Sequence, residues 1–204
     1  MHVCIVVVPV FGTWYNEDLF YAVYFAVFLV DFVIAYRNVF VRRVGVLRRE
    51  FSTYFVFVGL VFLTIFLSFY FGYLSYFTGV GELPMVFIYA GLALMVIGEG
   101  FRAWAILTLG KYFSPIVTVY SDQRVVTRGP YRLVRHPAYG GAIIVLLGIA
   151  LSLRSLFSLV LIPIDIAFFN HRANLEERLL IQTLGEEYLS YRKKVRRKFI
   201  PYVL

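Results

Sequence analysis

RVVTRGPYRLVRHPAYGG, Arg124 to Gly141, is a polar island between two strongly apolar halves of the chain. It carries Arg124, Arg128, Arg132, Arg135 and His136 within a short span. Two X-Pro steps, Gly129-Pro130 and His136-Pro137, bias the preceding residues toward extended backbone. Pro137 suits the first position of a new helix, where its missing N–H is no loss. The island therefore delivers His136 to a helix N-terminus, and free amides with a positive dipole end attract anions there. Gly140 and Gly141 leave room for a ligand to approach the backbone. Juxtamembrane arginines alone would need no more than topology, but topology does not require an imidazole, a phenol at Tyr139 and two glycines at a helix mouth.

The apolar flanks decide the class. The 204 residues are 61% hydrophobic and 19% aromatic, with a mean hydropathy of +0.78. A soluble domain is usually about 45–50% apolar, so the composition points to an integral membrane protein with one domain, residues 1–204. One cysteine, Cys4, excludes an internal disulfide and a cysteine zinc cluster. The three histidines show no metal-ligand spacing, so no metal is expected. The start, MHVCIVVVPVFG, lacks a basic n-region and reads as an ordinary N-terminus rather than a signal peptide.

Crossing about 30 Å of hydrocarbon takes about 20 residues. Leu19–Tyr36, Phe51–Phe77 and Pro84–Leu109 give three membrane helices in residues 1–109. Ala138–Leu153 and Leu156–Phe169 are shorter and form a hairpin that either spans or stops inside the membrane. The expected fold is thus all-α: a polytopic bundle of about five transmembrane helices with a cytoplasmic loop and a C-terminal helix. Of the 20 Lys and Arg, 18 fall in the loops 37–50 and 110–137 and in the tail from residue 171. The positive-inside rule then places the N-terminus outside and the C-terminus in the cytoplasm. So concentrated a charge suits lipid headgroups, and nucleic acid is not an expected partner; nor is an obligate protein partner evident.

In the tail, Leu175, Leu179, Leu180, Leu184, Tyr188 and Tyr191 recur at helical spacing, which Gly185 weakens without having to end. Lys193–Lys198 makes a basic exit and Pro201 a stop. Arg172 and Glu176 are i, i+4 and read either as a surface pair or as a fork and carboxylate gripping a charged group. Glu99 and Arg102, i, i+3 in the third span, read as an ion pair, while Asp31 and Asp165 are isolated acids with no evident role.

Two stretches on this side of the membrane resemble a known family. Gly129-Pro130-Tyr131-Arg132, Arg135-His136-Pro137, Tyr139 and Gly141 look like the motif GPYR…RHPxYxG. Glu176-Glu177-x-x-Leu180, Gly185, Tyr188, Tyr191, Arg196 and Pro201 are similar to EExxL…GxxYxxY…R…P. Together they resemble membrane methyltransferases related to isoprenylcysteine carboxyl methyltransferase and phospholipid methyltransferase, from about Gly110 to Pro201. The resemblance implies S-adenosylmethionine as cofactor, bound by Tyr131, Arg135, His136, Tyr139 and Glu176. It implies that Arg172 and Glu177 face the methyl acceptor, a lipophilic or prenylated molecule entering sideways between helices. Residues 110–204 would then be the catalytic half. An arginine in the acceptor site favours a carboxylate, such as that of an isoprenylcysteine, over a lipid amine, which would be mostly protonated near an ammonium reference of about 10.4. The alternatives are phospholipid or lipid-amine N-methylation and an NADPH-dependent membrane lipid or sterol reductase. Membrane sterol reductases that use NADPH carry a related RHPNYxGE-like segment, but Ala138 and Gly141 stand where that segment has its Asn and Glu.

Overall fold

In hydrocarbon every backbone polar group must be satisfied within its own segment, so apolar runs of this length become helices. The computed structural model describes residues 10–41, 46–50 and 52–200. α1 spans Trp14–Val41, α2 Ser52–Thr78, α3 Val86–Leu109 and α4 Pro137–Ser152; a single turn, α5 (Leu156–Leu159), leads into α6 (Leu161–Leu184), and α7 covers Glu186–Lys194. Among the described residues, Thr53–Thr78, Val86–Tyr112 and Leu156–Leu184 are long and apolar enough to cross a membrane; Pro137–Ser152 is apolar but shorter. The apolar run at Met1–Pro9, Arg42 and Arg43 of the first basic loop, and the stop at Pro201 lie outside the described residues.

α3 and α4 run antiparallel with their backbones in contact. A Cβ on Gly98 would meet Gly141 O at 2.8 Å, and one on Gly148 would meet Gly91 O at 2.6 Å. Small residues at such a crossing gain dispersion contact where lipid supplies no hydrophobic drive. This also settles the glycine pair of the island: a Cβ on Gly140 would collide with the backbone of Phe199, and one on Gly141 with α3. Both glycines admit neighbouring chain segments rather than a ligand.

Polar contacts fix the remaining helices. Tyr89 of α3 donates to Asn16 of α1 at 2.9 Å, and Arg102 Nε donates to Asp31 Oδ1 at 2.7 Å. The expected Glu99–Arg102 pair is therefore not formed, because α1 presents a better-placed carboxylate. On α2, Thr64 donates to Asp165 Oδ1 of α6 at 2.8 Å, and the Ser75 and Ser155 hydroxyls lie 2.8 Å apart.

Arg154, in the turn after α4, donates to Leu83 O and Val10 O and pairs with Glu82 at 2.7 Å. The hairpin that begins at α4 therefore reaches the face opposite the island. On the island's own face a two-stranded antiparallel ribbon joins β1 (Val46–Glu50) to β2 (Val117–Tyr120). This ribbon has no counterpart in the sequence reading, which left both loops irregular. Loops 37–50 and 110–137 thus share one side, and the tail joins them there. Gly185, at φ +53°, ends α6 and re-aims the chain into α7, so it breaks the tail helix rather than merely weakening it.

Candidate active site

The His136-Pro137 corner is built from three directions. Pro137 starts α4, while the amides of Arg135 and His136 donate to Arg197 O and Lys198 O at 3.0 and 2.7 Å. The strand-like strap after α7 is thereby laid along the corner. Arg135 adds side-chain bonds to the strap's carbonyls, Val195 O at 2.9 Å and Arg196 O at 2.5 Å. Lys198 Nζ donates to Asn170 Oδ1 and Asn174 Oδ1 of α6, each at 2.6 Å, and burial lowers its pKa. The Tyr139 and Gly140 amides both donate to His136 O at 3.1 Å, so these two first-turn groups are taken by the chain itself.

The two adjacent glutamates face different ways. Successive residues on a helix are about 100° apart, so i, i+4 neighbours share a face and i, i+1 neighbours do not. Phe169, Ala173 and Glu177 form one stripe, all buried, with Glu177 only 3% exposed. Arg172, Glu176, Leu180 and Leu184 form the next stripe, of which the last three line a cleft. Glu177 takes Arg135 Nε at 2.7 Å, His136 Nε2 at 3.1 Å and Arg192 Nε at 3.4 Å. An ionised carboxylate only accepts, so His136 carries its proton on Nε2 in this pairing. Glu177 is thus the counter-charge behind the corner and does not line the cleft.

The cleft holds about 100 Å³ of enclosed space and opens broadly to solvent. Its wall includes Tyr131, Arg135, His136, Tyr139 and Glu176 together with the segment Gln123–Val126, Tyr188 and Tyr191. Burial raises the phenols of Tyr131, Tyr188 and Tyr191 above their ordinary range, so all three stay neutral. Tyr191 donates to Tyr131 O at 2.8 Å, which ties α7 to the island. Arg124 to Val126 open the polar island and Gln123 precedes it, but sequence reasoning assigned none of these four residues a site role. Leu180 and Leu184, in contrast, follow from i, i+4 spacing on Glu176.

At the inner end of the cleft, the Tyr139 hydroxyl accepts from Arg172 Nε at 3.0 Å and donates to Glu176 Oε2 at 3.0 Å. Arg172 and Glu176 are therefore joined through a phenol rather than directly. Arg172 is 2% exposed; its Nη2 donates to Pro115 O and its plane lies 4.5 Å above the Phe57 ring. Its Nη1 has no hydrogen-bond partner among the described residues. Phe57 and Phe169, which pack against Tyr139, are also walls of a second, mainly apolar cavity of about 190 Å³ at the level of the membrane helices. The polar cleft and the apolar cavity are thus neighbours across Tyr139, Arg172, Phe57 and Phe169.

The comparison with known proteins agrees with this architecture. Residues 91–182 match the isoprenylcysteine carboxyl methyltransferase (ICMT) family. A probable protein-S-isoprenylcysteine O-methyltransferase of Oryza sativa subsp. indica is 38% identical over 110 residues, covering 52% of this chain and 58% of the relative. The protein-S-isoprenylcysteine O-methyltransferase of Schizosaccharomyces pombe is 36% identical over 109 residues, covering 52% of this chain and 46% of the relative. The chain thus spans about half the length of these relatives. A solved eukaryotic intramembrane Ras methyltransferase, ICMT, superposes with a TM-score of 0.60, covering 97% of this chain and 70% of the other at 23% identity. That likeness establishes a multi-pass membrane fold of the ICMT type. The resemblance carried by the two motifs is borne out over the segment that contains the island and the double glutamate.

Proposed function

We propose that the protein is an S-adenosylmethionine-dependent methyltransferase that esterifies the carboxylate of a lipophilic acceptor, most simply an isoprenylcysteine at the end of a prenylated protein. The observation that carries this reading is the buried Arg172 Nη1, without a hydrogen-bond partner among the described residues, on a side chain held between Tyr139 of the polar cleft and Phe57 of the apolar cavity. The relatives named above as isoprenylcysteine methyltransferases support the same acceptor class.

The cleft's chemistry fits the cofactor. Neutral tyrosines and leucines offer surface for a purine, Ser114, Thr118 and Gln123 offer groups for ribose hydroxyls, and Glu176 offers negative charge for a cation. When bound, S-adenosylmethionine supplies an electrophilic methyl on a sulfonium. Tyr131, Tyr139, His136 and Glu176 would contact it, with Arg135 shaping the wall. Glu177, from its place behind the corner, would hold Arg135 and His136 in position rather than meet the acceptor.

An acceptor carboxylate is already a nucleophile near neutral pH, so little acid–base work is needed and positioning dominates; well-oriented groups can contribute roughly 7–11 kcal/mol. Arg172 would orient the carboxylate through Nη1, and Tyr139 would hold Arg172 in register through Nε. Phe57 and Phe169 would keep water from the reacting atoms. A protonated lipid amine would be repelled by the same guanidinium, which sets phospholipid N-methylation second. The cluster of basic loops on this face supports a cytoplasmic placement for it. The test is methyl transfer from labelled cofactor to an S-farnesyl cysteine with a free carboxylate and to its carboxamide. Transfer to the acid alone is expected; equal transfer to the amide, or none to either, would overturn the reading.

A further inference from the structure

Glu99 lies on α3 at a membrane level, is 5% exposed, and has neither carboxyl oxygen hydrogen-bonded among the described residues. Its apparent partner on the same helix is engaged elsewhere: Arg102 gives Nε to Asp31 and Nη1 to Ala138 O at 3.1 Å. Neither protonation state resolves the deficit. Ionised, Glu99 lacks donors for both oxygens; protonated, it lacks an acceptor for its own O–H. Unpaired acids inside a membrane are costly and mark ligand paths more often than packing.

Glu99 lines the apolar cavity beside Asp31 and Arg102, which are paired with each other at 2.7 Å; the remaining walls are hydrocarbon from α1, α2, α4 and α6. The cavity lies between α1 and α2, which touch through Phe20 and Tyr24 against Phe69 and leave Val27, Phe28 and Val61 facing the space beyond. Gly98 meets Gly141; in this antiparallel pair Tyr139 lies two residues and Glu99 one residue toward the island from that level, so Glu99 sits only about 1.5 Å deeper than Tyr139. A chain threaded from Arg172 into this cavity would therefore pass Glu99 soon after the reacting end.

We propose that this cavity binds an amphiphile whose polar group carries an O–H or N–H, with Glu99 as the acceptor of that hydrogen bond. The occupant is the methyl acceptor itself, so the identity of the occupant rests on the methyl-transfer reading. A plain hydrocarbon arm would leave Glu99 unsatisfied and bind less well than an arm bearing a donor near its reactive end.

The test needs no methyl donor. Radiolabelled farnesol and its methyl ether, which keeps the oxygen but loses the donor, are bound to the detergent-solubilised full chain. The wild type is expected to favour the alcohol about tenfold or more, as befits a hydrogen bond to a charged or strongly polar buried group. Glu99→Leu should bind both equally, and Glu99→Gln, which keeps a carbonyl acceptor, should retain most of the preference. Equal binding by the wild type, or an undiminished preference in Glu99→Leu, overturns the proposal, and the wild-type comparison stands even where Glu99→Leu does not fold. Alcohol preference without any methyl transfer would sink only the enzymatic reading, and transfer to isoprenylcysteine without alcohol preference only this one.

Discussion

Replacing Glu177 with leucine separates two roles for the second glutamate. Glu177 is buried with Arg135 at 2.7 Å, whose side chain is also buried. Removing one partner of a buried pair costs about 3–5 kcal/mol, because the other charge stays desolvated. Arg135 keeps Val195 O and Arg196 O, and half-exposed Arg192 adds only about 0–1 kcal/mol. The lower end, about 3 kcal/mol, is therefore expected. For a chain of this size that lowers the unfolding midpoint by roughly 6–12 °C. The assay is thermal unfolding in micelles, paired with binding of S-adenosylhomocysteine. Cofactor affinity should fall at least about tenfold as the corner loosens, since tenfold is only about 1.4 kcal/mol. Glu177→Gln, which keeps an oxygen toward Arg135, should lose roughly half as much stability. If Glu177 instead serves the acceptor directly, Glu177→Leu will unfold and bind cofactor like the wild type while turnover vanishes. That outcome would refute the placement argued here.

Arg172→Ala should lower methyl transfer on the order of a hundredfold while cofactor binding changes little, since about 2.7 kcal/mol of charge-assisted contact is lost only with acceptor bound; unchanged transfer removes Arg172 from the scheme. Gly98→Val drives a side chain into the α4 backbone and should cost about 1–3 kcal/mol or more of stability, read as a lower midpoint with normal activity per folded molecule. A chain ended at Lys194 loses the strap bonded to Arg135 and His136; cofactor binding should be abolished while the helical circular-dichroism signal persists, and normal binding would show the strap to be dispensable.

The helices, the shared side of the basic loops and the convergence of island and tail were legible because each follows from a one-dimensional signal: apolar length, charge count, motif order. What failed depended on angle or on a distant partner. Spacing marks Glu176 and Glu177 as important but cannot say which stripe of α6 turns to the cleft, since that is set by where Phe169 and Ala173 bury. Arg102 looked paired within its own helix, yet a carboxylate seventy-one residues away claimed it. Gly140 and Gly141 were read as space for a ligand because a sequence shows that a side chain is missing, not what fills the gap. The ribbon escaped notice because Val46–Glu50 is too short and too charged to read as a strand alone.

The polar contacts divide the helices into two groups. Asn16–Tyr89 and Asp31–Arg102 fasten α1 to α3, and α3 is fused to α4 along the glycine seam, where no side chain is left to repack. Thr64–Asp165 and Ser75–Ser155 fasten α2 to the hairpin's second arm. The groups are bonded to each other only at the cleft end among the contacts described above, where Tyr139 and His136 tie the start of α4 to α6. Beyond it the boundary runs through the apolar cavity, so a small tilt about those bonds would admit a bulky lipid arm with no helix unwound. Cross-linking α1 to α2 at that boundary should slow entry of long-chain acceptors while sparing short ones.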